Sequence, residues 1–434
     1  MLTLGQKIKA IRKEKGLTQA ELVEDRITRN QLSLIENGIN NPSISTLEFI
    51  AQRLNVPMSY FLSNDDFSIH RCQKLIIRAE SMIEMSEYDP VISEIELFLS
   101  NVTEQDDNNM GGLLGRLYLL LGIAYYNVDK SKAESILDKA ITHLEATDQI
   151  SYLSKAYNYL GVLHEEADDL DKAETYLSKA NNLIANVNLE NIILKLNIAL
   201  NLSNIYMKQK RYPELIDFVN ENLKYSKKYK IFHNFGVFNM LISIAYRHTC
   251  NYKQAILNTL KAIEYFQFSD NEIKKYTCYI NLGIFYRLAG DYENSMKYLD
   301  MAKKYFEYTE KNSLSLNAKA EIVKTLFMTE KKLETINMLV NDLLYDIKDT
   351  DENRLDILTI KAVCLLEQKN YEEAHKLLRE AESLITDPEV SEFTAYIYLG
   401  LSKIHKQQQE WEKAYIYLDK ANALPQKTVR NIDL

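Results

Sequence analysis

The first 62 residues alternate short apolar runs with helix start and stop signals. Apolar positions recur at the three- and four-residue spacing of a buried helix face. Capping boxes of the Ser/Thr-x-x-Glu/Gln type begin at Thr18, Thr28 and Ser45, and Gly16 and Gly38 fit positions just beyond helix ends. The pattern predicts five short helices closed on one small core, formed by Ile8, Ile11, Leu17, Leu22, Ile27, Leu32, Ile35, Ile44, Leu47, Ile50, Leu54, Val56 and Phe61.

The second and third predicted helices are joined by only about three residues, which is the spacing of a helix-turn-helix. If Leu32 and Ile35 face the core, the outward side of the third helix carries Arg29, Asn30, Ser33, Leu34 and Asn37. Arginine can bond guanine bidentately and asparagine can do the same to adenine. An isolated polar face is more often simply solvated, so the DNA-reading interpretation depends on the whole five-helix pattern.

This segment resembles the repressor-like, XRE/Cro-type helix-turn-helix domain. The resemblance rests on the sequences GLTQAEL at 16–22, IENG at 35–38 and AQRLNVP at 51–57, together with Pro42. It implies that Arg29, Asn30 and Leu34 contact bases. It further implies that Gln19 and Asn37 contact phosphates and that Arg12 and Glu36 form a structural ion pair. Ser33, from its outward position, and Thr28, at the start of the helix, are included in the predicted DNA-binding face.

The charge of this segment is only slightly positive. Residues 1–64 carry eight Lys/Arg and six Asp/Glu. Because affinity for DNA rises with the number of neutralised phosphates, we expect weak binding by a monomer. A homodimer on a palindromic operator of double-stranded DNA is therefore predicted.

Beyond residue 65 the apolar pattern has a longer period. A small residue recurs about every 40 positions, and a second one follows seven positions later. The first series is Ala133, Ala173, Ala255, Ser295, Ala374 and Ala414, and the second is Ala140, Ala180, Ala262, Ala302, Ala381 and Ala421. Leu215 and Thr335 occupy the two positions of the first series that lack a small residue of this kind.

These repeats are similar to the tetratricopeptide (TPR) pattern, most clearly at 157–184 and 279–306. The resemblance implies a right-handed superhelix of eight or nine repeats with a concave channel. The predicted class is therefore all-α, with a helix-turn-helix domain at 1–65, a linker helix at 66–80 and a repeat domain for peptide binding and dimerisation at 81–434.

Polar residues on the first helix of each repeat are candidates for lining the channel. Asparagine is poor in helix interiors, and its amide suits the backbone of an extended peptide. Basic residues could take a C-terminal carboxylate or an acidic side chain. The peptide-binding candidates are Asn158, Asn197, Asn201, Asn204, Lys208, Arg247 and Arg287. Alternatively, Asn201 and Asn281 serve the turns between repeats.

Composition excludes several other classes. The chain is 46% apolar and 26% charged, with net charge −9, and contains no apolar run long enough for a membrane span. Four cysteines lack metal-ligand spacing, and we expect buried thiols in a reducing cytoplasm. No catalytic, phosphate-binding or metal motif occurs, so no enzyme activity, metal or cofactor is predicted.

The combination of a repressor-like domain and a TPR array resembles the peptide-responsive quorum-sensing regulators of Gram-positive bacteria, the RNPP group of Rap, NprR, PlcR and PrgX type proteins. The resemblance implies a cytoplasmic homodimer whose binding to DNA is controlled by a short imported peptide. Two alternatives share this plan: a bifunctional Rap/NprR-like protein that also binds a phosphorelay response regulator, and a peptide-responsive phage lysis–lysogeny regulator.

Overall fold

The computed structural model describes residues 3–23, 26–61, 64–185, 191–329, 333–348, 353–386 and 391–424. Across these residues the regular structure is helical and no strand occurs, so the predicted all-α class is confirmed. The chain divides into two compact units, Met1–Ile205 and Tyr206–Leu434. None of the described helices has the length and apolar character needed to cross a membrane.

The first unit begins with short helices and continues with longer ones. Its elements are α1 (Leu4–Glu14), α2 (Gln19–Val23), α3 (Arg29–Glu36), α4 (Ile44–Arg53), a 3₁₀ turn (Met58–Tyr60), α5 (Asn64–Glu84), α6 (Tyr88–Leu99), α7 (Glu104–Val128), α8 (Lys130–Glu145), α9 (Ile150–Glu166), α10 (Leu170–Leu183) and α11 (Ile192–Lys208). Helix α11 runs three residues past the boundary between the units.

The second unit consists of one helix and five further helix pairs among the described residues. Its elements are α12 (Tyr212–Tyr229), α13 (Phe235–His248), α14 (Tyr252–Phe268), α15 (Glu272–Leu288), α16 (Tyr292–Tyr308), α17 (Asn312–Thr329), α18 (Leu333–Asp346), α19 (Arg354–Glu367), α20 (Tyr371–Ser383), α21 (Thr394–Gln407) and α22 (Trp411–Ala423).

The core of the N-terminal segment is close to the predicted one but is built from four α-helices and one 3₁₀ turn. Two predictions at α4 are wrong. The N-cap is Ser43, whose hydroxyl accepts from Thr46 N at 3.2 Å, and the predicted capping box at Ser45 does not start the helix. Because the helix begins two residues earlier, Ile44 points outward and is 41% exposed, whereas Phe49 joins the core.

In the repeats, the small residues mark the close approach of paired helices. The residues of both series lie on second helices; Ala421 is partly buried and the others are buried. The predicted repeat position Thr335 is an exception, because Thr335 is exposed and the next residue, Ile336, is buried instead.

Glycines on several first helices pack against a leucine that lies between the two small residues of the partner helix. Gly161 of α9 faces Leu177 of α10, and Gly122 of α7 faces Leu137 of α8 in the same way. A Cβ on Gly161 would lie 2.5 Å from Leu177 Cγ, which is well inside van der Waals contact. The glycine is therefore required by packing.

We expect Gly161→Ala to lower the stability of the protein. Overpacking costs about 1–3 kcal/mol, which exceeds the gain of about 0.5–1 kcal/mol for replacing a helical glycine by alanine. Gly111→Ala in α7 is the matched control, because nothing lies within 4 Å of its added Cβ. In urea unfolding, the midpoint of Gly161→Ala should fall and that of Gly111→Ala should rise. A rise for both variants would contradict the packing argument.

The predicted domain limits remain predictions. The predicted linker at 66–80 lies inside α5, and the predicted end at 434 lies outside the described residues. The handedness of the repeat array is likewise still a prediction. The cysteine expectation needs one correction: Cys72, Cys278 and Cys364 are buried, but Cys250 follows α13 in a left-handed turn and is exposed.

Candidate functional site

Helix α3 starts at a well-formed N-cap. Gln31 N donates to Thr28 Oγ1 at 3.1 Å, and Thr28 N donates in return to Gln31 Oε1 at 2.8 Å. This reciprocal pair satisfies two backbone donors at the helix start. Thr28 thus has a structural role as the cap, and its predicted contact with DNA remains a prediction.

The two sides of α3 differ sharply. Leu32 is fully buried and Ile35 is 5% exposed, which anchors the helix in the core. The outward side is accessible as expected: Arg29, Asn30 and Asn37 are exposed, and Ser33 and Leu34 are half-buried. Arg29 and Asn30 lie in the first turn, the part of a recognition helix that enters a major groove.

A buried ion pair holds α3 against α1. Arg12 Nε lies 2.5 Å from Glu36 Oε1 and Nη2 lies 2.8 Å from Glu36 Oε2, so the pair is bidentate. The remaining amino group, Nη1, donates to the carbonyl of Leu17 at 2.8 Å. Burial alone would raise the pKa of Glu36, but hydrogen bonds from Arg12 and Gln19 outweigh it and the pKa is lowered.

Gln19 has a structural role that sequence analysis did not assign. Its Nε2 donates to Glu36 Oε2 at 2.8 Å, so one amide proton is committed to the ion pair. The predicted phosphate contact of Gln19 remains a prediction, and it would have to use the rest of the amide group. Gln19 thereby joins the start of α2 to the end of α3.

The candidate peptide-binding residues fall into both units. Asn158, Asn197, Asn201 and Asn204 are half-buried in the first unit. Asn201 Nδ2 donates to Asn158 Oδ1 at 2.9 Å, linking α11 to α9. This bond uses one donor and one acceptor of the two carboxamides, so each retains hydrogen-bonding capacity. The bond gives Asn201 a structural role, and its predicted contact with a peptide remains a prediction.

The three basic candidates lie in the second unit and differ in accessibility. Lys208 is exposed, Arg247 is half-buried, and Arg287 is only 4% exposed. Arg287 Nη2 lies 2.5 Å from Glu321 Oε2, and Nη1 pairs with Glu392. In this structure the guanidinium of Arg287 is thus held by two carboxylates of the chain itself.

Arg287 belongs to a buried network formed by the first helices of three successive pairs, α15, α17 and α19, and by the segment just before α21. Lys324 Nζ lies 2.9 Å from Glu321 Oε1 and 2.6 Å from Asp356 Oδ2. Burial alone would raise the pKa of Glu321, but the charges of Lys324 and Arg287 outweigh it and lower the pKa to about 2. For Lys324, burial alone would lower the pKa, but Asp356 and Glu321 raise it.

Neutral groups complete this network. Lys324 Nζ also donates to Asn353 Oδ1 at 2.8 Å, and Ser391 Oγ donates to Asp356 Oδ1 at 2.5 Å. Sequence analysis missed Glu321, Lys324, Asp356 and Glu392. A signal existed for two of them, because Glu321 and Lys324 stand three residues apart among apolar neighbours on α17.

Comparison with known proteins gives sequence matches for the N-terminal segment and structural matches over larger shares of the chain. The profile of the family described as "Helix-turn-helix" matches residues 8–61. The immunity repressor of Bacillus phage phi105 is 45% identical over 65 residues, which is 15% of this chain and 45% of that repressor. The chain therefore matches less than half the length of this relative.

Solved structures are similar over larger shares of the chain. Apo RapI is similar with a TM-score of 0.50 and 16% identity, over 62% of this chain and 96% of RapI. NprR in complex with its cognate peptide NprX gives a TM-score of 0.49 and 18% identity, over 75% of this chain and 91% of NprR. Residues 8–61 are thus a helix-turn-helix domain of the XRE type, which this chain joins to a TPR-like array of helix pairs.

Proposed function

We propose that this chain is a cytoplasmic, sequence-specific DNA-binding transcription regulator whose repeats bind a short signalling peptide. The observation that carries the DNA-binding half is the arrangement of α3. Its cap and its buried anchors fix the helix, while Arg29 and Asn30 are exposed in its first turn. Arg29, Asn30 and Leu34 are proposed to contact bases, and Gln19, Ser33 and Asn37 the adjoining surface of the duplex.

The proposed active form is a homodimer on a palindromic operator. The helix-turn-helix segment has only two more basic than acidic residues, so one copy neutralises few phosphates. Two copies on a two-fold site would double the number of base and phosphate contacts. Light scattering at micromolar concentration tests the dimer, and a monomeric mass would contradict it.

The peptide-binding half is supported by polar groups on the first helices of the repeats. Half-buried asparagines on α9 and α11 have the donors and acceptors that an extended backbone needs. As a separate proposal within the second unit, the guanidinium groups of Arg247 and Arg287 suit an anionic group of a peptide. Peptide binding is proposed to alter the repeats and thereby the affinity for DNA, by about 5- to 150-fold if the coupling is 1–3 kcal/mol.

A second candidate is a peptide-responsive phage lysis–lysogeny regulator. The similarity to a phage immunity repressor favours it. It requires the same DNA face and the same peptide site, and neighbouring phage genes would distinguish it. Binding to a phosphorelay response regulator is a further proposal, which a pull-down with the helix-turn-helix segment deleted would test.

The double substitution Arg29→Ala and Asn30→Ala should abolish sequence-specific binding of DNA. The duplex used is one selected by the wild-type protein from a random-sequence library. Losing two bidentate base contacts should weaken specific binding by at least about 30-fold. A gel shift at fixed salt measures the effect, because the phosphate contribution depends on salt.

The matched control replaces Lys13 and Gln52 by Ala. It removes the same charge and one amide from exposed positions of α1 and α4, and should leave specific affinity nearly unchanged. Equal losses in both double variants would contradict base reading by α3.

For the peptide half, the wild type should retain members of a heptapeptide pool, and a retained peptide should change the affinity of the protein for the selected DNA.

A further inference from the structure

One ion pair in the second unit joins residues that are far apart in the chain. Arg287 lies near the end of α15 and pairs with Glu392, just before α21, across 105 positions. The other amino group of Arg287 holds Glu321 of α17. The guanidinium of Arg287 therefore links its own repeat both to the next repeat and to the third repeat after it in the chain.

The two carboxylates on Arg287 differ in how firmly they are held. Glu321 is 4% exposed and uses its second carboxylate oxygen to bind Lys324. The side chain of Glu392 is 17% exposed, and among the described residues its only ion pair is with Arg287. Glu392 is thus the carboxylate that can leave for solvent without breaking a second ion pair.

Arg287 has a hydrogen-bond donor that no carboxylate of this cluster uses. Arg287 Nε is buried and has no hydrogen-bond partner among the described residues. The half-buried Arg247 of α13 forms no ion pair with the described part of the chain, and its charge lowers the pKa of Glu321 less than the charges of Lys324 and Arg287 do.

We infer that Arg287 is the centre of a carboxylate-binding site that Glu392 occupies in this structure, and that a carboxylate of the bound peptide displaces Glu392. The inference rests on the proposed peptide-binding function and specifies the ligand chemistry and its internal competitor. Exchanging one carboxylate for another leaves the buried charge unchanged, which avoids the desolvation cost of adding an anion. A doubly charged phosphate would add a second negative charge beside Glu321.

The site is first tested without a peptide, by chemical rescue of the full chain. Glu392→Ala removes the internal carboxylate and leaves room for a small one. Its Tm should be several degrees below that of the wild type in chloride, and about 100 mM acetate should restore most of the loss by mass action. Glu380→Ala is the matched control, because Glu380 pairs with Arg354 in the same unit but is more exposed. It should show no greater response to acetate than the wild type.

Failure of rescue, or equal rescue by acetate and chloride at the same ionic strength, would overturn the carboxylate site. Should Glu392→Ala fold poorly, Glu392→Gln keeps the shape of the side chain and removes only its charge. For this variant, acetate should raise the Tm more than chloride does, and an identical response to the two salts would again overturn the site.

A second arm uses N-acetylated heptapeptide pools lacking Asp and Glu, made with free C-terminal carboxylates or as C-terminal amides. Amidation should weaken retention by the wild type about 10-fold or more, since a charged hydrogen bond is lost. Glu392→Gln should retain the free acids about 10-fold more tightly than the wild type, because a neutral amide competes for Arg287 less strongly than a carboxylate does. Equal retention of both pools by both proteins overturns the displacement inference but leaves the proposed function standing. Rescue by acetate with no peptide retained, either from these pools or from the unrestricted heptapeptide pool, overturns the peptide function and the displacement together, while the anion site itself stands.

Discussion

Arg12→Met is expected to unfold the helix-turn-helix segment locally. The substitution leaves Glu36, which is 2% exposed, buried without its cation. Breaking a buried pair by removing one partner costs about 3–5 kcal/mol. Hydrogen exchange followed by mass spectrometry should show faster exchange of amides in α1 and α3, with the repeats unaffected.

Two further variants separate charge from size in this prediction. Lys13→Met removes an exposed cation from the same helix and should leave exchange unchanged. Arg12→Met combined with Glu36→Met should recover much of the loss, because a well-packed apolar pair can replace a buried ion pair. If Arg12→Met alone exchanges like the wild type, the pair contributes little to holding α1 against α3.

The pH dependence of the same segment follows from the lowered pKa of Glu36. A carboxylate with a lowered pKa in the folded state contributes stability above its unfolded pKa, about 4.3 for glutamate. That contribution is lost as pH falls below this value toward the folded pKa. The protection of α3 amides, corrected for their slower intrinsic exchange in acid, should therefore fall in mild acid in the wild type, and this acid dependence should be weaker in the double methionine variant.

Lys324→Met is expected to destabilise the second unit by a similar amount. Lys324 is the only described cation paired with Asp356, and it shares Glu321 with Arg287. The variant would leave three carboxylates of the cluster near one buried guanidinium, at a cost of about 3–5 kcal/mol. Thermal unfolding followed by circular dichroism, with local hydrogen exchange in α17 and α19, measures this loss.

Lys319→Met provides the control on the same helix. Its Nζ lies 3.0 Å from Glu307 Oε1, but both side chains are about 40% exposed. An exposed pair of this kind contributes about 0–1 kcal/mol. Similar losses for Lys324→Met and Lys319→Met would show that burial of the network adds nothing to its strength.

Local signals explain why much of the N-terminal segment could be predicted. The cap at Thr28 and the stop at Gly38 depend on neighbouring residues only, and Gly38 has the positive φ that the stop requires. The error at α4 has the same origin. Ser43, Ser45 and Thr46 all suit an N-cap, and their order in sequence does not decide which one starts the helix.

The repeats were predictable for a different reason. A close approach of helices needs small residues at fixed spacing, so the structure leaves a periodic trace at residues such as Ala173 and Ala180. The contacts between Asn158 and Asn201, and between Arg287 and Glu392, leave no such trace. They depend on how successive helices stack, and sequence spacing alone cannot show which partners meet.

The link between Arg287 and Glu392 also bears on how the second unit unfolds. In an array whose repeats touch only their neighbours, an end repeat can fray while the rest stays folded. A bond that spans three repeats removes this independence, because detaching α21 must also expose the charge on α15. The segment from α15 to α21 should therefore open as one cooperative block, with a common opening free energy along its length.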